Sequence, residues 1–115
     1  MIDVQKVEQG GVTVLRLAGD IDEEGVNVLR VALLNCLKEK RCCVVVNLTD
    51  VRYVSYMGLG VLVERRGQLA AQGGDLRLTG LNLFLKRTMQ MASITDVFQV
   101  HDTEALAVKE FKEAA

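Results

Sequence analysis

The chain has 115 residues, half of them apolar, with 14 Lys and Arg against 15 Asp and Glu and a formal net charge of -1. That length suits one domain with its own core, here taken as 1-115, and the interspersed charges form no basic stripe to neutralise phosphates, so nucleic acid is not an expected partner. No apolar run approaches the roughly 20 residues that cross a bilayer, and MIDVQKVEQ is charged where a signal peptide is apolar, so a cytoplasmic protein without direct membrane insertion is expected.

IDVQKVEQ and VTVLRLAG alternate apolar and polar residues on either side of Gly10-Gly11, a dipeptide that tolerates the positive φ of a tight turn; the chain therefore opens as a β-hairpin. After the acidic run Asp20-Ile21-Asp22-Glu23-Glu24, the residues Val26, Leu29, Leu33, Cys36 and Leu37 recur at helical spacing towards Lys38, Lys40 and Arg41. Asp22 is a natural N-cap, with acids at the positive end of this helix and bases at its negative end.

CCVVVNL lacks alternation and is rich in β-branched residues, as in a central parallel strand covered on both faces. It leads into VRYVSYMGLGVL, where a helix is predicted from Gly58, carrying Leu59, Leu62, Val63, Leu69 and Ala70 inward and stopping at Gly73-Gly74. DLRLTG is a further strand, Asn82 caps a helix over LFLKRTMQMA, VFQV reads as a short edge strand, and an amphipathic helix runs from about Thr103 to Lys112. The order ββαβαβα(β)α predicts an α/β fold: a mixed sheet of four or five strands with about four helices, the core formed by Leu29, Leu33, Leu62, Val63, Leu85 and Met89 against Val44, Val46 and Leu48.

The three cysteines Cys36, Cys42 and Cys43 are an odd count with an adjacent pair on a strand, the pattern of buried reduced thiols. His101, the only histidine, is far from them in sequence, so no metal site is expected. Gly58-Leu59-Gly60 is only a fragment of a dinucleotide fingerprint, and Ser55 lacks the flanking glycines of a nucleophile elbow. Neither a cofactor nor catalysis is expected. The acidic cluster at Asp20, Asp22, Glu23 and Glu24 reads as a capped, solvated helix start; holding a cation and contacting a basic partner surface both stay open.

LAGDID resembles the L-x-G-[ED]-[LI]-D segment of STAS domains, the bacterial anti-sigma-factor antagonist family. VVVNLTDVRYVSYMGLGVL is similar to that family's strand, loop and helix signature, and AAQGGDLRLTGLNLFLKRTMQMASITDVF to its later segment ending in phenylalanine. The resemblance spans nearly the whole chain and implies the fold already read from periodicity. It also implies a regulatory protein whose partner is an anti-sigma factor that is a serine kinase of the GHKL type. In the family, the loop before the second helix reads Asp-Ser-(Ser/Ala)-Gly, and the partner phosphorylates its first serine.

Counting back from Gly58, Ser55 stands where the family has aspartate, Tyr56 where it has the phosphorylated serine and Met57 where it has a second small residue. The resemblance thus implies partner binding through Ser55, Tyr56, Met57 and Gly58 with Asp20, Asp22 and Glu23 at the rim, and loss of the usual serine switch. Ser55 is left as a shifted phosphosite. Read as residues alone, Ser55 is a helix cap and Tyr56 a cover for the turn. The alternative is a STAS interaction subunit of a larger signalling or lipid-transport complex; self-association is open in either case.

Overall fold

The structure, a computed structural model, describes residues 2–114. The alternating segments pair as an antiparallel hairpin of β1 (Ile2–Gln9) and β2 (Val12–Ile21), with Gln9 opposite Val12. Gly10 and Gly11 between them have φ of 58° and 88°, a region open to glycine and strained for most other residues. The chain continues through α1 (Glu23–Lys38), β3 (Cys43–Val54), α2 (Tyr56–Ala71), β4 (Asp75–Thr79), α3 (Leu83–Met91), β5 (Val100–His101) and α4 (Glu104–Ala114). The strands lie in the order β1-β2-β3-β4-β5, parallel apart from β1, so the sheet is mixed α/β with five strands and four helices, as the sequence pattern predicts.

β3 is central and covered on both faces. Val44, Val46 and Leu48 join Leu29 and Leu33 of α1, Leu62 of α2 and Leu85 and Met89 of α3 in the main core. Val45 turns the other way, into a smaller cluster with Val12, Val14 and Ala107, Val108 and Phe111 of α4. This two-sided burial is why CCVVVNL carries no alternation. Val63 is only partly buried at the edge of the main core. Ala70 is exposed rather than inward, because one residue beyond the buried Leu69 is about 100° of helical rotation, enough to leave the apolar stripe.

α4 is fastened at both ends. At its start Glu104 accepts from Arg16 Nε and Nη2 at 2.8 and 2.7 Å and from Asn47 Nδ2 at 3.0 Å. The Arg16 hydrogen bond is the main cause that holds this carboxyl down at about 2. Because the folded value is depressed, the contact contributes in full above the unfolded value near 4.5 and is lost as pH falls towards 2. Further along the helix, the Arg77 guanidinium lies 4.0 Å from the centroid of the Phe111 ring, a cation–π contact.

Two details differ from the expectation. The edge strand expected over VFQV is present but shorter and later: only its last residue, Val100, and His101 pair, with Leu78 and Thr79, while Phe98 is buried in the main core. Of the thiols only Cys36 is buried; Cys42, just before β3, and Cys43, its first residue, are half-buried, and all three are free. The last helix starts at Glu104, in agreement with the expected start near Thr103, whose Oγ1 accepts from the Leu106 N–H at 3.1 Å. Among the described residues no helix is long and apolar enough to cross a membrane.

Candidate functional site

The carboxyl half of β3 sets the geometry. After Leu48 its burial changes to a period of three, with Val51 and Val54 inward and Thr49, Asp50, Arg52 and Tyr53 exposed. The register gives the reason: Arg16 and Ala18 pair with Asn47 and Asp50, then Gly19 and Ile21 with Val51 and Val54, so two steps along β2 are twice matched by three along β3. Each extra residue is a bulge, and each bulge pushes a pair of side chains to the outside.

β2 and β3 finish side by side, Ile21 opposite Val54, and each passes into a helix through a single capping residue. Asp22 Oδ1 accepts from the Gly25 N–H at 3.0 Å and Ser55 Oγ from the Gly58 N–H at 3.1 Å. Asp22 titrates below the usual carboxylate range, chiefly because of the Gly25 N–H. The Ser55 N–H donates to the Ile21 carbonyl at 2.9 Å, which ties the start of α2 to the end of β2. Residues 55 to 58, expected as a loop with a helix from Gly58, are therefore a cap and the first turn of a helix that begins at Tyr56.

Both glycines of these turns are buried for the same reason. A Cβ on Gly25 would lie 2.5 Å from the Asp20 carbonyl oxygen, and one on Gly58 would lie 2.8 Å from Ile21 Cγ2. Gly58 thus seats the helix and leaves its neighbours to face outward: Tyr56 and Met57 are each 62% exposed. One turn later Gly60 meets nothing within 4 Å of an added Cβ. A shallow groove of about 380 Å³ runs on each side of this ridge, one towards Arg30 of α1 and the other towards Ile94 after α3.

The other candidates lie at the same end of the sheet. Glu23 is exposed, Asp22 is engaged as a cap, and Asp20 is half-buried with Oδ1 3.8 Å from Arg52 Nε. Among the described residues no three His, Cys, Asp or Glu side chains converge as a metal site. Ser55 follows β3 and His101 lies on β5, and β4 runs between those two strands, so the topology does not pair them.

One part of this surface was missed in the sequence. Leu83 and Phe84 on the first turn of α3 are exposed, and the Phe84 ring lies 6.0 Å from that of Tyr53, tilted by 34°. Asn82 joins the two elements by donating from Nδ2 to the Val51 carbonyl at 3.3 Å. A signal was present: with Leu85 and Met89 directed inward, Leu83 and Phe84 fall off the buried stripe.

Residues 3–107 match the STAS domain family. The anti-sigma-B factor antagonist of Bacillus subtilis is 33% identical over 86 residues, covering 75% of this chain and 78% of that protein. The anti-sigma F factor antagonist of Paenibacillus polymyxa is 21% identical over 112 residues, covering 96% of both. An anti-sigma factor antagonist from Mycobacterium paratuberculosis has the same fold, with a TM-score of 0.88, 19% identity, and coverage of 97% of this chain and 95% of that one. With the family matched along nearly its whole length, and with the strand, cap and helix signature in place, the chain belongs to the STAS domain family.

Proposed function

We propose that this protein is an anti-sigma-factor antagonist that binds its anti-sigma factor through the first turn of α2, and that it does so without a serine phosphoswitch. The observation that carries this reading is the exposed pair Tyr56 and Met57, 62% exposed each, on a turn whose backbone is fixed by the Ser55 cap and the buried Gly58. An aromatic ring and a thioether bury a large area while adapting in shape, and a rigid base reduces the entropy lost on docking. Two relatives named as anti-sigma factor antagonists, one of them 33% identical, support the partner class. Asp20, Asp22 and Glu23 form the rim, where charge acts on approach and specificity more than on final affinity. The partner that the resemblance implies is an anti-sigma factor of the GHKL kinase type; this reading requires its binding face and not its phosphoryl transfer.

Two features argue against phosphorylation. Tyr56 places its oxygen a ring's length from the backbone, away from the N–H groups at the helix start that hold an anion. Ser55 already accepts one of those N–H groups, from Gly58, and follows the strand position opposite Ile21, so the Asp22 carboxylate caps the adjacent helix and opposes added negative charge there.

The test is to incubate the protein with its cognate kinase and ATP, record intact mass, map modified peptides and measure affinity before and after. Unchanged mass and unchanged affinity are expected. Stoichiometric phosphate on Ser55 or Tyr56 with weaker binding would overturn the reading. Ser55→Asp together with Tyr56→Ser should restore a substrate-like turn and, with it, ATP-dependent release.

A further inference from the structure

The carboxyl ends of β4 and β5 border a region that the partner reading leaves unused. Two adjoining cavities of about 200 and 160 Å³ lie there and share Leu81, Lys86 and Val100 as walls. Met89 adds apolar surface to the larger, while His101 and Asp102 line the smaller. In open α/β sheets, the crevice outside the carboxyl ends of the strands is where ligands most often sit.

Polarity defines what would fit. His101 Nε2 is buried and has no hydrogen-bond partner among the described residues, whereas buried polar atoms in folded proteins are nearly always paired. Lys86 takes part in none of the ion pairs among the described residues. A hydrogen-bond acceptor with negative charge satisfies both groups. The Asp102 carboxylate lines the same cavity and opposes a group of higher charge, which disfavours phosphates. Beside this polar end, Leu81, Met89 and Val100 offer apolar surface to a short hydrocarbon tail.

We propose that these joined cavities bind a small monocarboxylate. Its carboxylate accepts from His101 Nε2–H and from Lys86, and its tail packs on Leu81, Met89 and Val100. The site is independent of the Tyr56 surface, so either assignment can fail without the other.

Hexanoate titrated into the full chain, followed by NMR of the Leu81, Met89 and Val100 methyl groups and of the His101 imidazole nitrogens, tests the assignment. Hexanol supplies the tail without the charge, and inorganic phosphate supplies charge without the tail. Saturable shifts at these methyls and at Nε2 are expected for hexanoate in the low millimolar range. They should weaken at least about tenfold for hexanol and in Lys86→Gln or His101→Gln, because removing a charge-assisted hydrogen bond changes affinity by a factor of this order. Phosphate should leave the methyls unmoved. Lys86 is exposed, so its variant keeps the test valid even if the His101 variant does not fold. Absence of saturable shifts, equal binding of hexanol and hexanoate, or binding of phosphate alone would each overturn the proposal.

Discussion

The starts of α1 and α2 are built alike and dressed differently. Each follows one end of the paired residues Ile21 and Val54, each is capped by a short polar side chain, and each has a buried glycine three residues after the cap. Between cap and glycine α1 carries Glu23-Glu24 and α2 carries Tyr56-Met57. The common parts fix the backbone; the two outward residues give each turn its chemistry. An acidic pair beside an N-terminus complements the helix dipole and is stable in water. An exposed tyrosine and methionine do nothing comparable for their own helix, and their placement fits the proposed contact with another molecule.

The glycines give the largest way to break the comparison. Gly25→Ala forces a Cβ against the Asp20 carbonyl oxygen, a backbone atom, and Gly58→Ala forces one against a methyl of the fully buried Ile21. Overpacking of this kind costs about 1–3 kcal/mol, with Gly25→Ala the more severe, as a shift of the urea midpoint would report. If both variants were as stable as the wild type, the shared scaffold would not be what seats the two helices.

The caps come next. Ser55→Ala should cost about 1 kcal/mol, equally at every pH where the protein is folded, because a hydroxyl cap does not titrate there. Asp22→Ala should also destabilise at neutral pH, but its effect depends on ionisation. The folded carboxyl is held below the usual range, so its contribution is present above the unfolded value near 3.8 and is lost as pH falls through the folded one. Thermal unfolding of both variants at pH 7 and towards pH 3 checks the contrast; parallel curves would contradict it.

Smaller effects sharpen the functional side. Gly60→Ala meets open space, so it should raise stability by about 0.5–1 kcal/mol through helix propensity alone. The same methyl fills the ridge between the two grooves, so it should weaken partner binding while the fold gains. Tyr56→Ala with Met57→Ala should change stability least, within about 0.5 kcal/mol, since both side chains are mostly in solvent. A large loss of stability there would mean that the pair serves its own helix.

Much of the scaffold was legible because it rests on local rules. Asp22 and Asn82 were identified as caps from residue type and position, Gly10-Gly11 as a turn, and Leu29, Leu33, Leu62, Leu85 and Met89 as core from the helical period. The carboxyl half of β3 was not, because a bulged strand buries every third residue and resembles neither template. That hid the strand end, placed the α2 start two residues late and concealed the Tyr53–Phe84 contact, which depends on a long-range approach of α3. The two-residue β5 is a pairing decided by neighbours, and Phe98 in VFQV was read as strand when its burial is tertiary. The carboxyl-end cavities were invisible for the same reason, since Leu81, Lys86 and His101 come from separate segments.

The most direct measurement is the affinity of the proposed anti-sigma factor partner for the wild type and for two folded double variants, one removing each outward pair. Tyr56→Ala with Met57→Ala should weaken binding by about a hundredfold or more, roughly 2.7 kcal/mol, mostly through faster dissociation. Glu23→Ala with Glu24→Ala should weaken it by less than about tenfold, mainly through a slower, salt-sensitive association. Full affinity in the Tyr56, Met57 variant, or a larger loss in the Glu23, Glu24 variant, would contradict the assignment of partner binding to the start of α2.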